Sequence, residues 1–396
     1  MNKEFHKKQN FFSFSDIDSE RKDRIMKFTS TEATPAPHVP PGVLRLTGAA
    51  KEDIPMYRIQ TMNKISPVGL NRFPSELYEV GDAVQDPQGI LVRSAKLLDL
   101  EFNPSLLAIA RAGVGVNNIP LDRCAAAGIP VFSTPGANAN AVKELVVCAM
   151  LMGSRDIPGA IRWVREQAAS GVDVSTVVEK GKSAFIGPEL YKKTLGIIGL
   201  GAIGSIVANT AISLGMDVYG YDPFLSVDTA LRLDRHVHVV KDINDLYKRS
   251  DYITMHIHYT EKTAHMIDAD AIAAMKRGVR VINLARGEIV DDEAMLTALD
   301  TGMVAAYITD FPNNRLLTAP HVIAMPHLGA STPESEQNCA AMAVDTLRDY
   351  LESGNIRSSV NLPEMTMDRS GVQRLCVLHK NVPGMLANIT SLFGRD

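Results

Sequence analysis

The chain has few features of an extracellular, membrane-embedded or nucleic-acid-binding protein. Its four cysteines form no CxxC pair, so we expect buried free thiols in a reducing compartment and no zinc or disulfide framework. No apolar run reaches the roughly 18 residues that a membrane helix needs, and the start has no apolar signal segment. Lys+Arg (41) and Asp+Glu (45) nearly balance to a formal net charge of -4, which predicts no nucleic-acid partner. We therefore expect a cytoplasmic protein that does not associate with membranes.

The first 55 residues differ from the rest of the chain. They mix charges of both signs and then give TSTEATPAPHVPPG, a Pro- and Thr-rich run with little apolar surface to bury. Such a composition predicts a disordered arm and linker over residues 1–55. The natural chain could begin at Met1, with this arm, or at Met56, and the sequence does not decide between these two starts.

From Met56 onward, short apolar strands alternate with helical stretches, which predicts an α/β protein with open, doubly wound parallel sheets. One such region covers residues 56–147, and a second covers 148–327. A long helix from about Asn138 to Glu166 joins them, and a helical stretch from Ser331 to Leu351 follows within residues 328–363. The strand LCVLHK and the helix PGMLANITSLF lie in residues 371–396.

A dinucleotide-binding turn is predicted where the apolar strand LGIIG runs into GLGAIG and a helix. In this GxGxxG motif, Gly199 makes the tight turn, Gly201 lets the backbone approach a pyrophosphate, and Gly204 lets the helix pack on the strand. Ala202 and Ile203 begin the helix, whose free N–H groups suit phosphate. The next strand ends at Asp222, a carboxylate placed for ribose hydroxyls, which favours NAD over NADP.

Three further strand ends carry groups suited to oxidising an alcohol. Arg286 follows one strand, Asp310 ends the next, and His327 follows a third. Because parallel strands end at the same sheet edge, we expect all three beside the dinucleotide. Histidine can accept the hydroxyl proton, and arginine binds a carboxylate through two hydrogen bonds. We predict Arg286, His327 and Asp310 as catalytic residues, with Asp310 also touching the cofactor.

These motifs resemble those of the D-isomer-specific 2-hydroxyacid dehydrogenases. The resemblance rests on GLGAIG with Asp222, LARGEIVDDEAM, Asp310 and PHLGAST, and covers about residues 56–363. It implies two Rossmann-like domains with the active-site cleft between them, the NAD-binding domain being inserted within the substrate-binding domain. It also implies that Arg286 binds the substrate carboxylate and carbonyl, that His327 is the acid and base, and that the protein is a homodimer or homotetramer. No metal is implied.

Within that family, VRSAK, AGVGVNNI and TPGANANAVKEL are similar to the branch that oxidises 3-phospho-D-glycerate to 3-phosphohydroxypyruvate in serine biosynthesis. This implies a small phosphorylated 2-hydroxy acid as the substrate. The similarity places Arg93, Ser94, Gly115 and Asn138 in substrate-binding loops, together with Arg286. The residues themselves suggest Lys96 and Lys143 as weaker phosphate candidates, since lysine binds phosphate as a point charge.

One departure concerns the acid that orients the catalytic histidine. The family usually has a glutamate five residues after the aspartate, where this chain has Arg315. If Arg315 points inward, the positive charge opposes protonation of His327. A substitute carboxylate is therefore expected, with Asp310 the first candidate before Glu334 and Glu336, unless His327 acts alone.

The last segment resembles the first strand, loop and helix of an ACT domain, a regulatory module that binds amino acids. His379 and Asn381 stand where that family contacts serine, and the remaining strands are missing, so the segment is expected to be a truncated module. Two alternatives stay open for the whole chain. One is a dehydrogenase of glyoxylate, hydroxypyruvate or another D-2-hydroxy acid, and the other is a non-enzymatic NAD-sensing protein.

Overall fold

The computed structural model describes residues 44–47, 56–368, 374–379 and 382–393. The strands are β1 (Leu44–Thr47), β2 (Tyr57–Met62), β3 (Tyr78–Gly81), β4 (Gly89–Val92), β5 (Ala108–Arg111), β6 (Val131–Phe132), β7 (Thr194–Ile198), β8 (Asp217–Tyr221), β9 (Val237–Val240), β10 (Tyr252–Met255), β11 (Val279–Asn283), β12 (Val304–Thr309), β13 (Val322–Ala324) and β14 (Arg374–Val377). The α-helices are α1 (Pro67–Leu70), α2 (Leu121–Ala126), α3 (Ala139–Arg155), α4 (Ile157–Ala169), α5 (Val174–Gly181), α6 (Ala202–Ser213), α7 (Val227–Ala230), α8 (Ile243–Arg249), α9 (Ala269–Ala273), α10 (Asp292–Asp300), α11 (Pro333–Ser353) and α12 (Met385–Phe393).

The described chain divides into two compact units. Unit 1 runs to Ala137 and resumes at Glu336, and unit 2 is Asn138–Ser335. The predicted division after Val147 therefore falls inside α3, which belongs as a whole to unit 2. The predicted return at residue 328 comes before the observed return within the first turn of α11.

Unit 1 contains a parallel five-stranded sheet in the order β3-β2-β4-β5-β6. The sequence GILV of β4 is apolar throughout, and all four residues are buried, as expected for a central strand covered on both faces. The core also takes in the late helix α11 through Ala340, Ala343 and Leu347, which are at most 1% exposed. Segments before and after unit 2 in the sequence are therefore both needed to build this unit.

Unit 2 contains a parallel seven-stranded sheet in the order β13-β12-β11-β10-β7-β8-β9. The chain starts in the middle at β7, builds outward through β8 and β9, and then returns to the other side of β7 at β10. This reversal makes a crevice at the carboxyl ends of β7 and β10, where open α/β sheets bind ligands. The predicted α/β class with two parallel sheets is thus confirmed.

The single long helix predicted from Asn138 to Glu166 is wrong, because it is broken at Asp156. That residue adopts a left-handed conformation (φ 41°), and its side chain accepts a hydrogen bond from the Gly159 N–H to begin α4. Pro158 lies in the first turn of α4, where the missing proline N–H costs nothing, whereas within a continuous helix it would remove a hydrogen bond.

Two smaller expectations also need correction. Within the predicted disordered arm, Leu44–Thr47 forms β1, which pairs antiparallel with β14. The alternation in LRLT suits a strand, and the rest of residues 1–55 lies outside the described residues. Of the free cysteines described, Cys124 and Cys339 are buried as predicted, but Cys148 is exposed on α3.

The predicted last strand and helix correspond to β14 and α12. Their assignment to an ACT module stays a prediction, and Asn381 lies outside the described residues. Among the helices of the described ranges, none combines the length and the apolar character needed to cross a bilayer.

Candidate active site

The glycine turn after β7 has the geometry that its sequence predicts. Gly199 has φ +90°, a left-handed conformation that glycine adopts without strain, and a Cβ there would lie 2.5 Å from the His256 carbonyl oxygen. A Cβ on Gly204 would lie 1.9 Å from the Gly199 carbonyl oxygen, so α6 packs directly on the turn. A Cβ on Gly201, by contrast, would meet no atom within 4 Å. The second glycine therefore faces open space.

The start of α6 completes this turn. Gly201 is the N-cap residue and offers no side chain to the first N–H groups of the helix, which Ala202 and Ile203 begin. Free N–H groups at a helix start, together with the helix dipole, favour an anion such as a phosphate.

Asp222 lies directly after β8 and is fixed to the glycine turn. One carboxylate oxygen accepts from the Leu200 N–H at 2.9 Å, and the other accepts from the Phe224 N–H at 2.9 Å. Each oxygen keeps lone-pair capacity for a second donor. The half-buried carboxylate is thus held beside the turn, ready to accept from ribose hydroxyls.

Arg286 follows β11 in a loop held by Asn283. The Asn283 side chain donates to the Arg286 carbonyl at 2.8 Å and accepts from the Ala285 N–H at 3.2 Å. The Arg286 guanidinium donates to the Ala285 carbonyl at 2.7 Å and lies 5.8 Å from the ring centre of Phe311.

Phe311 links the arginine to the histidine. Its ring centroid lies 4.7 Å from that of the His327 ring, at a tilt of 48°, so the phenyl ring contacts both Arg286 and His327. Sequence reasoning missed this residue, because an aromatic side chain after a strand end more often packs in the core. The structure thus brings Arg286, Asp310 and His327 to one edge of the unit 2 sheet, with Phe311 in contact with two of them.

Asp310 is 1% exposed at the end of β12. Its Oδ2 accepts from the Gly329 N–H at 3.2 Å, and its buried Oδ1 has no hydrogen-bond partner among the described residues. Burial raises the pKa of this carboxyl, while the adjacent His327 and the N–H groups of Gly329 and Leu328 lower it. A charge on His327 therefore acts on Asp310 electrostatically, and no hydrogen bond joins the two side chains within the described residues.

Arg315 does not point inward as the sequence allowed. Its guanidinium is largely exposed and pairs with Glu293 of α10 at 2.9 Å. Of the three candidate acids, Glu336 pairs with Arg93 at 2.6 Å, and Glu334 is exposed. Asp310 is the remaining candidate, and a charge on His327 lowers its pKa.

His256 also lies at this edge, after β10. The backbone N–H of His256 donates to the Ile198 carbonyl at 2.7 Å, and the ring Nε2 lies 3.2 Å from the Thr254 hydroxyl. Burial lowers the pKa of His256 to about 4, so the ring is uncharged at neutral pH. The described residues contain no group of three or more His, Cys, Asp and Glu side chains that could hold a metal.

In unit 1, the loop after β4 carries the predicted residues Arg93 and Ser94. Asn63, in a left-handed conformation (φ 79°), accepts from the Ser94 N–H at 3.1 Å. Arg111 donates from Nε to the Arg93 carbonyl at 2.9 Å. Sequence reasoning missed Asn63 and Arg111, although an asparagine after a strand is a signal for positive φ.

The remaining predicted residues are placed as follows. Gly115 is half-buried in the loop after β5, and Lys96 is exposed. Asn138, at the N-cap position of α3, makes no side-chain capping bond, and its buried Oδ1 has no partner among the described residues. Lys143 lies 3.7 Å from Glu144.

The residues of unit 2 fit a nicotinamide dinucleotide. Open space at Gly201 and the uncapped start of α6 suit a pyrophosphate, and Asp222 suits a ribose. The unpartnered Oδ1 of Asp310, buried at the same sheet edge, would be satisfied by an N–H donor such as a nicotinamide carboxamide.

Comparison with known proteins identifies dehydrogenases that are similar to this chain in sequence. The family model described as "D-isomer specific 2-hydroxyacid dehydrogenase, NAD binding domain" matches residues 147–329. A D-3-phosphoglycerate dehydrogenase of Synechocystis sp. is 36% identical over 80% of this chain and 56% of its own length. One of Haemophilus influenzae is 33% identical over 80% of this chain and 77% of its own length.

A solved structure is also similar. The crystal structure of NAD+-bound 3-phosphoglycerate dehydrogenase in Entamoeba histolytica is 26% identical, with a TM-score of 0.61, over 78% of this chain and 99% of that one. The chain spans only 56% to 60% of the length of several curated relatives that it matches. The glycine turn, the parallel sheets and these similarities together show that the chain belongs to the family of D-isomer-specific 2-hydroxyacid dehydrogenases.

Proposed function

We propose that this chain is an NAD-dependent dehydrogenase that oxidises 3-phospho-D-glycerate to 3-phosphohydroxypyruvate, the first step of serine biosynthesis by the phosphorylated route. The observation that carries the proposal is the grouping of Arg286, Asp310 and His327 at the sheet edge that also holds the glycine turn. The names of the relatives from Synechocystis and Haemophilus support this substrate.

In this reaction the C2 hydroxyl loses a proton, C2 loses a hydride, and a carbonyl forms. NAD, when bound, supplies the hydride acceptor. His327 takes the hydroxyl proton, and the ionised form of Asp310 stabilises the resulting positive charge on the ring. Arg286 binds the substrate carboxylate, since a guanidinium matches a carboxylate with two hydrogen bonds. The Phe311 ring lies beside both side chains and helps to hold them in position.

The phosphate of the substrate is assigned to Arg93 of unit 1. Its loop is held by Asn63 and Arg111, so the guanidinium is presented from a fixed backbone. Arg93 pairs with Glu336, and both side chains are about two fifths exposed, so an incoming phosphate can replace that carboxylate at low cost.

A substrate panel with NAD tests this assignment. We expect 3-phospho-D-glycerate to be preferred over D-glycerate and D-lactate. Arg93→Ala should lower kcat/KM for the phosphorylated substrate by roughly 10- to 100-fold, the loss of one charge-assisted interaction, and leave D-glycerate within a few-fold. Arg72→Ala, which removes an exposed arginine paired with Asp345 in the same unit, is the matched control. A wild-type preference for glyoxylate or hydroxypyruvate reduction would favour the sister dehydrogenases.

A second prediction concerns the choice of cofactor. Asp222→Ala removes both a ribose acceptor and a negative charge that repels the 2′-phosphate of NADP. We expect NAD to bind roughly 10- to 100-fold more weakly and NADP to improve relative to NAD. Asp217→Ala, at the exposed opposite end of β8, should change neither cofactor. Equal use of NAD and NADP by the wild-type protein would contradict the role of Asp222.

A further inference from the structure

A cavity opens at the amino edge of the unit 2 sheet, the edge opposite the glycine turn. It is lined by the first residues of β10 and β11 and by Lys193, directly before β7, and contains about 330 Å³ of space, part of it open solvent. β7 spans Thr194–Ile198, so at about 3.3 Å per residue this cavity lies roughly 15 Å from the glycine turn. We call it the amino-edge cavity.

The amino-edge cavity is strongly basic. It is lined by four cations, which are Lys193, Lys276, Arg277 and Arg280, and by one carboxylate, Asp251. Four positive charges and one negative charge leave a net charge of +3, in a chain whose formal net charge is -4. Such a concentration of like charge attracts anions to this part of the surface.

The carboxylate of Asp251 already has partners within the protein. Asp251 Oδ1 accepts from Lys276 Nζ at 3.0 Å, and Oδ2 accepts from the Thr194 N–H at 2.8 Å. Asp251 therefore neutralises Lys276 and leaves the charges of Lys193, Arg277 and Arg280 unbalanced.

Arg280 is held in place by the protein. Its Nε donates to the Gly153 carbonyl at 2.9 Å, its Nη1 lies 3.3 Å from the Gly278 carbonyl, and its guanidinium lies 5.5 Å from the ring centre of Tyr252. None of these partners is negatively charged. A guanidinium fixed by carbonyls and an aromatic ring is pre-organised for an anion, because little side-chain entropy is lost on binding.

The other two cations are more accessible. Arg277 donates from Nη2 to the Thr301 carbonyl at 2.6 Å, which orients it without neutralising it. For Lys193, half-buried directly before β7, no ion pair or side-chain hydrogen bond is found within the described residues.

From this arrangement we infer that the amino-edge cavity binds a compact dianion of the phosphate class, either inorganic phosphate or a small phosphate monoester. Tetrahedral oxygens can accept from one fixed guanidinium and from two adaptable cations at once. This ligand site is separate from the proposed dehydrogenase site and does not depend on that activity.

The test is a phosphate-binding measurement on the full chain, by calorimetry and by the shift of the unfolding temperature, at constant ionic strength with chloride as the reference anion. Lys193→Glu changes the cavity charge from +3 to +1, and we expect it to weaken phosphate binding at least 10-fold. Lys192→Glu makes the same charge change on the neighbouring residue, whose ammonium group lies 5.3 Å from the ring centre of Tyr191, and should bind phosphate like the wild type.

If Lys193→Glu does not fold, Arg277→Ala is the second test, because Arg277 is exposed and its replacement should leave the fold intact. We expect it to weaken phosphate binding several-fold. Glycerol 3-phosphate, compared with inorganic phosphate, distinguishes a monoester ligand from the free ion. The inference is overturned if the wild type shows no saturable phosphate binding. It is also overturned if Lys193→Glu and Lys192→Glu bind phosphate equally, which would place the ion at the glycine turn or elsewhere.

Discussion

Replacing His327 with asparagine is expected to lower kcat by about 10²- to 10⁴-fold, the range that a positioned general base contributes. Asparagine keeps a hydrogen-bonding side chain but cannot accept the hydroxyl proton. Because His327 is exposed, the unfolding temperature should stay close to that of the wild type. Steady-state kinetics with 3-phospho-D-glycerate and NAD, together with thermal unfolding, would separate loss of chemistry from loss of fold.

Asp310→Asn tests the partner of that histidine. Ionised Asp310 attracts the positive charge that forms on the His327 ring during the reaction, so we expect Asp310→Asn to lower turnover and to change the acid limb of the pH–rate profile. Glu334→Gln should leave the profile unchanged. If Glu334→Gln moves it and Asp310→Asn does not, the assignment of Asp310 is wrong, and if neither matters, His327 acts alone.

The same substitution should stabilise the protein at neutral pH. Burial raises the pKa of Asp310, so the folded state releases this proton at higher pH than the unfolded state does. Ionised Asp310 therefore opposes folding at neutral pH, and this cost is absent below the ordinary pKa of an aspartate. Asp310→Asn should raise the unfolding temperature at pH 7, and the gain should disappear as the pH falls below about 4.

The second large effect is expected at the glycine turn. Gly201→Val should reduce NAD affinity roughly 100-fold or more, because the added side chain fills the space where the pyrophosphate approaches. The protein should still fold, since a Cβ at this position meets no atom within 4 Å. NAD binding followed by calorimetry, with the unfolding temperature as the control, gives both readings.

Gly204→Val is the matched comparison. Here the Cβ would lie 1.9 Å from the Gly199 carbonyl oxygen, so the loss should appear in stability, by about 3 kcal/mol, as well as in binding. Wild-type NAD affinity in Gly201→Val would mean that the pyrophosphate does not bind at this turn.

The sequence predicted those parts of the site that depend on local chemistry. The roles of the three glycines agree with the space around each, because a strand, a tight turn and a helix leave few backbone solutions. Arg286, Asp310 and His327 lie at one sheet edge because parallel strands deliver their ends there.

What the sequence did not show depends on side-chain direction and long-range contacts. Arg315 stands at the expected position of an acid, but its side chain points away and pairs with Glu293. The spacing of residues along the chain does not predict the direction of a side chain. Phe311 belongs to the site because it lies beside Arg286 and His327, which are on two other loops. The break at Asp156 is marked in the sequence by Pro158, which suits the first turn of a helix and would remove a hydrogen bond inside a continuous one.

The insertion of unit 2 within unit 1 has a consequence for the order of folding during synthesis. Strands β2 to β6 leave the ribosome early, but Ala340, Ala343 and Leu347 of α11, which complete their core, are made only after all of unit 2. A Cβ on Gly69 would lie 2.6 Å from Ala340, so even the short helix α1 is fitted to this late segment. Unit 2 is continuous in sequence and can fold as soon as it has emerged, whereas the nascent unit 1 must wait with apolar strands uncovered. We therefore expect chaperone dependence to reside in residues 56–137.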